Sequence, residues 1–440
     1  MVKMSELLDA HGIIRYENLD MEGMGTGGRT DSRQILSGEV YFALKGQNSD
    51  GHDFIAQAFE KKMSAAVVSA DYINNSCFPV IYSKDVEKTL GGIANIWRKM
   101  HSAKIIGITG TNGKTTTKEM LAGILSNRFR LISTFKNYNN QIGVPLTLLS
   151  IKEDTEVAIV ELGTNHFGEI EYLSEISDPD LGIITNIGEG HLEFFGDKSG
   201  VFKEKKALFE HINKSDGKIF VNTDDEYLKS WESGNITTYG FTGTPDIKFE
   251  NVIINENGFP EFSFKGIQAA MNVPGKLNLK NALAAAALAG ELGVSPEKIA
   301  ESLRSYTSSD KRYELVRFNN SQIILDCYNA NPTSMENFLK DISAMGRDFS
   351  VILGDMLELG STSAGSHSRI ADLAESLGFS QVLLYGSEMR SAFIRRKFKG
   401  TVSFYESFDQ LKEKFIELTA KGGKIAVKGS RGMKLEKLME

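Results

Sequence analysis

Residues 104–121 read KIIGITGTNGKTTTKEML: an apolar, β-branched strand, a glycine-rich turn, a lysine followed by hydroxyls, and the start of an amphipathic helix. In that order, N–H groups of the turn and the helix N-terminus point at phosphate oxygens, Lys114 offsets their charge, and the Thr115 hydroxyl can reach Mg²⁺. Gly110, Thr111, Asn112, Gly113 and Thr116 complete the loop. The strict G-x-x-x-x-G-K-[ST] string is not met, because Ile108 stands in place of the first glycine, with Gly107 and Gly110 on either side of it. A solvated lysine in an ordinary strand-to-helix turn is the plainer reading. The strand before and the helix after favour a site for a nucleoside triphosphate, without deciding which reaction its phosphate undergoes.

Outward from this loop, VAIVEL, LGIITNIG and KIFVN alternate with helical segments, the pattern of a mainly parallel sheet covered by helices. An insertion of hairpins around Asn257-Gly258 precedes an alanine-rich helix expected to start near Asn281. Short strands and helices before Lys84–Asp85 (GEVYFALKG, AAVVSA, FPVIYS) make a small α/β unit. After the polar stretch RSYTSSDKR, five apolar strands alternating with helices read as a doubly wound, Rossmann-like unit. The expectation is an α/β protein of three domains, residues 1–84, 85–309 and 310–440, and 440 residues at roughly 150 per domain agree.

Composition narrows the function. A net charge of −7 is no footprint for nucleic acid, and a hydrophobic fraction of 41% is that of an ordinary globular protein. Cys77 and Cys327 are too far apart in sequence for a CxxC pair, and Cys327 reads as a small packed residue. No apolar run is long enough to span a bilayer, and the first residues lack a signal peptide's apolar core. A cytoplasmic protein without membrane insertion is expected.

Two further residues carry metal chemistry in this context. Glu161 ends a buried-type strand, where an open α/β sheet places its ligand crevice, and a carboxylate there can hold a metal bridging phosphates. His191, after ITNIGEG, would alone be an ordinary loop histidine. A GTPase switch is the strongest reading from another class, because Asp197–Gly200 matches DxxG and Asn213–Asp216 matches NKxD. Only about a dozen residues separate the two, too few for the strand-helix-strand unit of roughly 30 residues between them. NKSD therefore reads as a polar turn.

GITGTNGKTTT, TFKNYNNQIGVPLTLL, ELGTNHFGEI, ITNIGEGHLEFFG, LDCYNANPTSM, LGDMLELG and VKGSRGMKLE, in this order, resemble the Mur ligase superfamily over nearly the whole chain. TDSRQILSGEVYFALKGQNSDGH looks like its UDP-sugar-binding region, and the NYNN, YNANP and GDMLELG segments look like its D-alanyl-D-alanine-adding branch. The resemblance implies a UDP-sugar domain, an ATP-binding phosphate-loop domain, and a C-terminal domain for the incoming dipeptide. It implies an ATP-dependent ligase that joins D-alanyl-D-alanine to a UDP-muramyl tripeptide through an acyl phosphate, acting on small molecules and as a monomer. The runners-up within the class are another amino-acid-adding Mur ligase and a folylpolyglutamate synthetase.

The resemblance also implies roles. Thr115 and Glu161 correspond to ligands of the nucleotide's Mg²⁺, and His191 to a ligand of a second Mg²⁺. Asn278 and Asn281 correspond to the adenine-reading helix start, although Leu277 replaces a histidine frequent in the family. Arg312 corresponds to an arginine reaching ATP, and Asp326 to an acid facing the ribose. Asp31, Ser32, Arg33 and Lys45 would contact the UDP-sugar, and Asn137, Tyr138, Asn139 and Asn140 would line the peptide crevice. Asn329, Asn331, Asp355 and Arg431 would lie near the dipeptide. Lys205 stands where the family carries a lysine carbamylated by carbon dioxide, although the run Lys203-Glu204-Lys205-Lys206 would ordinarily be a solvated helix face.

Overall fold

The computed structural model describes every residue of the chain except 309, 397 and 399. The expected boundary at residue 309 thus falls outside the described residues. In the N-terminal unit, strands lie in the order Ile13–Glu17, Val80–Ser83, Ala65–Ser69, Val40–Phe42, Gly28–Arg29. Only the first pair is antiparallel.

The next helix, Val86–Lys99, begins where the Asp85 carboxylate accepts the Lys88 N–H at 3.1 Å. Its apolar face (Leu90, Ile93, Ala94, Trp97) is buried, at about 1.5–3 kcal/mol per large side chain. It packs on helices Gly143–Leu148 and Glu169–Ser177 and also touches Ala65–Ser69, so it joins the first unit to the second. The Trp97 indole N–H donates to the Ile151 carbonyl at 3.0 Å, which satisfies its one polar atom.

The central sheet is parallel throughout, in the order Asn235–Tyr239, Lys218–Asn222, Leu181–Ile184, Lys104–Thr109, Val157–Glu161, Leu131–Ser133. Strands such as Val157–Glu161 are buried along their whole length, as apolar runs covered on both faces must be. The phosphate-loop strand lies in the middle, with the register Glu161 opposite Ile108 and Ile184 opposite Thr109. The carboxyl ends of three neighbouring strands therefore meet at one rim.

An antiparallel sheet of Glu250–Ile254, Pro260–Phe264 and Ile267–Ala270 follows. The alanine-rich helix then begins at Lys276, earlier than the sequence suggests. Gly275, at φ +95°, turns the chain into it, and the Asp341 carboxylate from the C-terminal unit accepts the Leu277 N–H at 3.4 Å. A cap supplied from another unit leaves no local signal. Burial pushes the Asp341 carboxyl up to about 6, opposed by those backbone N–H groups. The helix packs along Lys114–Leu125.

The C-terminal sheet runs Glu314–Phe318, Ser321–Asp326, Gly423–Lys428, Phe349–Gly354, Gln381–Tyr385, Val402–Tyr405. It is parallel except for the first strand, which forms an antiparallel edge on the doubly wound core. Among the described residues no helix is long and apolar enough to cross a membrane.

Candidate active site

A cleft of about 410 Å³ opens where the phosphate loop, the end of Val157–Glu161 and the start of helix Lys276–Glu291 face the C-terminal unit. The loop's glycines are required by its surroundings. Gly113 has φ +84° and a Cβ there would lie 2.2 Å from Asn281 Oδ1; at Gly110 it would lie 1.9 Å from Thr185 Oγ1. Ile108, at the position of the missing motif glycine, is simply a buried strand residue. The Thr185 hydroxyl and the Asn186 amide donate to the Asn112 carbonyl at 2.6 and 2.8 Å, and Asn186 Oδ1 accepts the Asn112 N–H at 3.1 Å. Sequence reading assigned neither residue a role.

Lys114 Nζ donates to the carbonyls of Gly110 (2.8 Å) and Thr111 (3.4 Å). Desolvation lowers its pKa, Glu161 opposes that, and Arg312 adds to it, so both charges are close by. Glu161 is 1% exposed. Its Oε1 accepts from the Asn139 amide at 2.8 Å, whereas Oε2 has no hydrogen bond and lies 3.7 Å from Lys118 Nζ. A buried carboxylate oxygen without a donor, close to Thr115 at the same cleft, suits a hard divalent cation. Among the described residues no group of three or more His, Cys, Asp or Glu side chains could hold a metal by itself. Mg²⁺ takes one or two protein ligands beside phosphate and water.

His191 lines the cleft in a left-handed conformation (φ +52°) and opens the short helix Leu192–Phe195. Its Nδ1 is 2.7 Å from Glu358 Oε2 of the C-terminal unit, and the imidazole holds that carboxyl below the usual range. Glu358 escaped sequence reading, because only folding brings the GDMLELG segment against this loop.

The three lysines of the charged run separate clearly. Lys203 is exposed, 5.6 Å from the centre of the Phe167 ring, and Lys206 pairs with Glu210 at 2.5 Å. Lys205, at the end of helix Lys198–Lys205, is 2% exposed. Burial, followed by the charge of Lys114, lowers its pKa well below the usual value. Glu204 beside it accepts from the backbone of Gly168 and Ile170, both at 2.7 Å, and from the Thr164 hydroxyl at 3.2 Å.

From the C-terminal unit, the Arg312 guanidinium sits 3.4 Å over the Tyr328 ring, and its buried Nε has no partner. Asp326 accepts from Lys428 Nζ at 2.5 Å, and Lys428 also donates to the Asn329 carbonyl at 3.1 Å. Arg312, Asp326, Tyr328, Asn329 and Lys428 all line the cleft. Tyr328 and Lys428 were missed; a buried lysine on a strand distant in sequence has no local signature.

Of the residues expected at the dipeptide, Asn331 caps helix Pro332–Met345 and donates to Asn112 Oδ1 at 2.8 Å, which joins the third unit to the phosphate loop. Asp355 lies off the cleft wall. Its carboxylate accepts the N–H groups of Met389 (2.9 Å) and Glu388 (3.2 Å) and so caps helix Ser387–Arg395. Arg431 is exposed, 5.1 Å from the Tyr328 ring and outside the cleft.

Asn137, Asn139 and Asn140 line the cleft, as do Gln141, Thr164 and Glu169, which sequence reading left out. Tyr138 faces outward, half exposed and edge-on to Phe135. Asn278, lining the cleft, donates to the Pro274 carbonyl at 2.8 Å, whereas Asn281 borders both this cleft and a smaller hollow of about 150 Å³. In the N-terminal unit, Asp31, Ser32 and Arg33 line a separate hollow of about 410 Å³. Arg33 grips the Asp31 carboxylate through Nε (2.9 Å) and Nη2 (2.8 Å). Lys45 is exposed beside that hollow, 3.8 Å from Asp50.

The GTPase-like strings have other uses. Asp197 caps helix Lys198–Lys205 by accepting the Gly200 N–H at 2.9 Å. Asn213 and Lys214 end helix Ala207–Lys214 ahead of strand Lys218–Asn222, so the string does not follow a strand as a base reader must.

The Mur ligase middle domain matches residues 108–289, the Mur ligase glutamate ligase domain residues 311–431, and the Mur ligase family catalytic domain residues 26–97. A UDP-N-acetylmuramoyl-tripeptide–D-alanyl-D-alanine ligase of Bacillus subtilis is 34% identical over 437 residues, 97% of this chain and 94% of the relative. The Escherichia coli protein of the same name is 31% identical, covering 88% of this chain and 86% of its own. A crystal structure of MurF from Acinetobacter baumannii superimposes with a TM-score of 0.85 at 29% identity, covering 94% of this chain and 92% of that one. With its phosphate loop, three α/β units and full-length likeness to these proteins, the chain belongs to the Mur ligase family.

Proposed function

We propose that this chain is the ATP-dependent ligase that joins D-alanyl-D-alanine to UDP-N-acetylmuramoyl-tripeptide in the cytoplasm, yielding the nucleotide-linked pentapeptide precursor of peptidoglycan. The observation that carries this reading is the full-length likeness to relatives of that name, combined with a cleft where phosphate-binding groups from two units converge. The tripeptide carboxylate attacks the γ-phosphorus of ATP and ADP leaves; the dipeptide amine then adds to the acyl phosphate and expels phosphate. Lys114 and Arg312 meet the charge on the transferring phosphoryl group, and positioning does most of the rest. Bound Mg²⁺ would offset phosphate charge, with Thr115 and Glu161 as its protein ligands and His191 near a second ion.

In this reading the hollow at Asp31, Ser32 and Arg33 takes the UDP-sugar, and the face at Asn329 takes the dipeptide. Lys205 carries a carbamate: its neutral amine adds to carbon dioxide, forming an N–C bond and releasing one proton. The support is its burial beside the charge of Lys114, which disfavours an ammonium there.

Purified protein given ATP, Mg²⁺ and the UDP-muramyl tripeptide should release phosphate and ADP only when D-alanyl-D-alanine is added. Comparable turnover with GTP, or AMP and pyrophosphate as products, would overturn the assignment. Asn281→Ala should raise KM for ATP by about tenfold, the loss of roughly one good hydrogen bond, with less change in kcat, because base contacts are equal in the ground and transition states. A change confined to the dipeptide's KM would remove Asn281 from the base site.

A further inference from the structure

Lys118 lies one helical turn beyond Lys114 on helix Lys114–Leu125 and is 3% exposed. A buried ammonium persists only where its N–H groups find acceptors. Here Nζ donates to the Thr134 carbonyl at 2.7 Å and to the Lys136 carbonyl at 3.0 Å, and Glu161 Oε2 lies 3.7 Å away. Three separate parts of the cleft thus share one side chain. These are the helix that presents the phosphate loop, the segment entering Asn137–Asn140, and the carboxylate at the end of Val157–Glu161.

Thr134 is itself fixed to strand Val157–Glu161, its N–H donating to the Ile159 carbonyl and its hydroxyl accepting the Glu161 N–H, both at 2.9 Å, but residues 135–138 after it are exposed. Phe135 is 64% exposed, Tyr138 50%, and Lys136 sits at φ +48°, a conformation uncommon for a residue with a side chain. Beyond it, Asn139 donates to Glu161, so the segment and the carboxylate are linked on both sides.

We propose that Lys118 is a positioning residue that sets the acceptor-peptide loop against the phosphate loop, a role resting on the ligase reading above. It acts through the carbonyls of Thr134 and Lys136 and touches neither nucleotide nor peptide. Losing two hydrogen bonds from a charged donor should change loop order by on the order of 10- to 100-fold.

Trypsin provides a readout independent of ligation, because the bond it would cut after Lys136 includes the carbonyl that Lys118 holds. In the full-length protein, Lys118→Met should speed appearance of the fragment ending at Lys136 by about tenfold or more. KM for the UDP-muramyl tripeptide should rise by a similar factor, while ADP affinity changes less than about twofold, because the phosphate loop keeps its own contacts. Lys118→Gln, uncharged and shorter but still a donor, should fall between the two in cleavage and KM, and it decides the matter if the methionine variant does not fold. Unchanged cleavage after Lys136, or a loss of ADP affinity as large as the loss for the tripeptide, overturns the proposal. If wild-type protein ligates no muramyl peptide, the functional reading fails, while the cleavage comparison still decides the tether.

Discussion

Lys205→Arg should lose ligase activity by at least about 100-fold, as should Lys205→Ala, the scale seen when an optimised electrostatic group is removed from an active site. Of the three lysines in the run, Lys203 is in solvent over an aromatic ring and Lys206 is paired with Glu210, whereas Lys205 is buried and its Nζ donates to no carboxylate among the described residues. Burial and the neighbouring charge of Lys114 both disfavour an ammonium there, and the neutral amine is the form that adds to carbon dioxide. The resulting carbamate would turn a disfavoured cation into an anion with two oxygens, suited to Mg²⁺ directly or through water. Arginine keeps the charge but cannot carry the modification. Acetate or another short carboxylate should therefore restore part of the activity of Lys205→Ala and none to Lys205→Arg, and Lys203→Ala should be close to wild type. Initial rates of phosphate release with and without added carboxylate check this. Full activity in Lys205→Arg would refute the carbamate; an acidified mass spectrum would not decide it, because carbamates are lost in acid.

Lys114→Ala should lower turnover by about 100-fold or more without lowering the thermal midpoint of the nucleotide-free protein. Its ammonium makes only local contacts, to the carbonyls of Gly110 and Thr111, and desolvation opposes its charge. The folded chain gains little from it; a phosphoryl group in the cleft would gain a great deal. Turnover and thermal unfolding of the same preparation test both halves. Near-normal turnover would remove the phosphate-loop assignment, and a large fall in midpoint would make Lys114 structural.

These two lysines show how differently the site could be read. Lys114 was legible because its setting is local: strand, turn and helix follow one another within residues 104–121, and the fold keeps that order. The buried apolar strands were legible for the same reason, since VAIVE and LGII have covered faces whatever their neighbours. Glu161 followed from them, because the end of a strand places its side chain at the sheet's rim. Sequence was silent where a distant partner uses a side chain. The helix expected near Asn281 starts at Lys276, where Asp341 caps it, and the Asp355 carboxylate caps Ser387–Arg395.

Sequence by itself thus determined the three α/β units, the phosphate loop and the family resemblance, all properties of contiguous segments whose periodicity and turn chemistry are local. Only the tertiary structure decided which lysine of the run is buried, that Glu358 meets His191, that Asn331 bonds Asn112, and that Lys118 holds Thr134 and Lys136. The three contacts depend on segments brought within about 3 Å by packing, a distance at which hydrogen bonds and ion pairs act and which separation along the chain does not encode, and burial of one lysine depends on what packs over it.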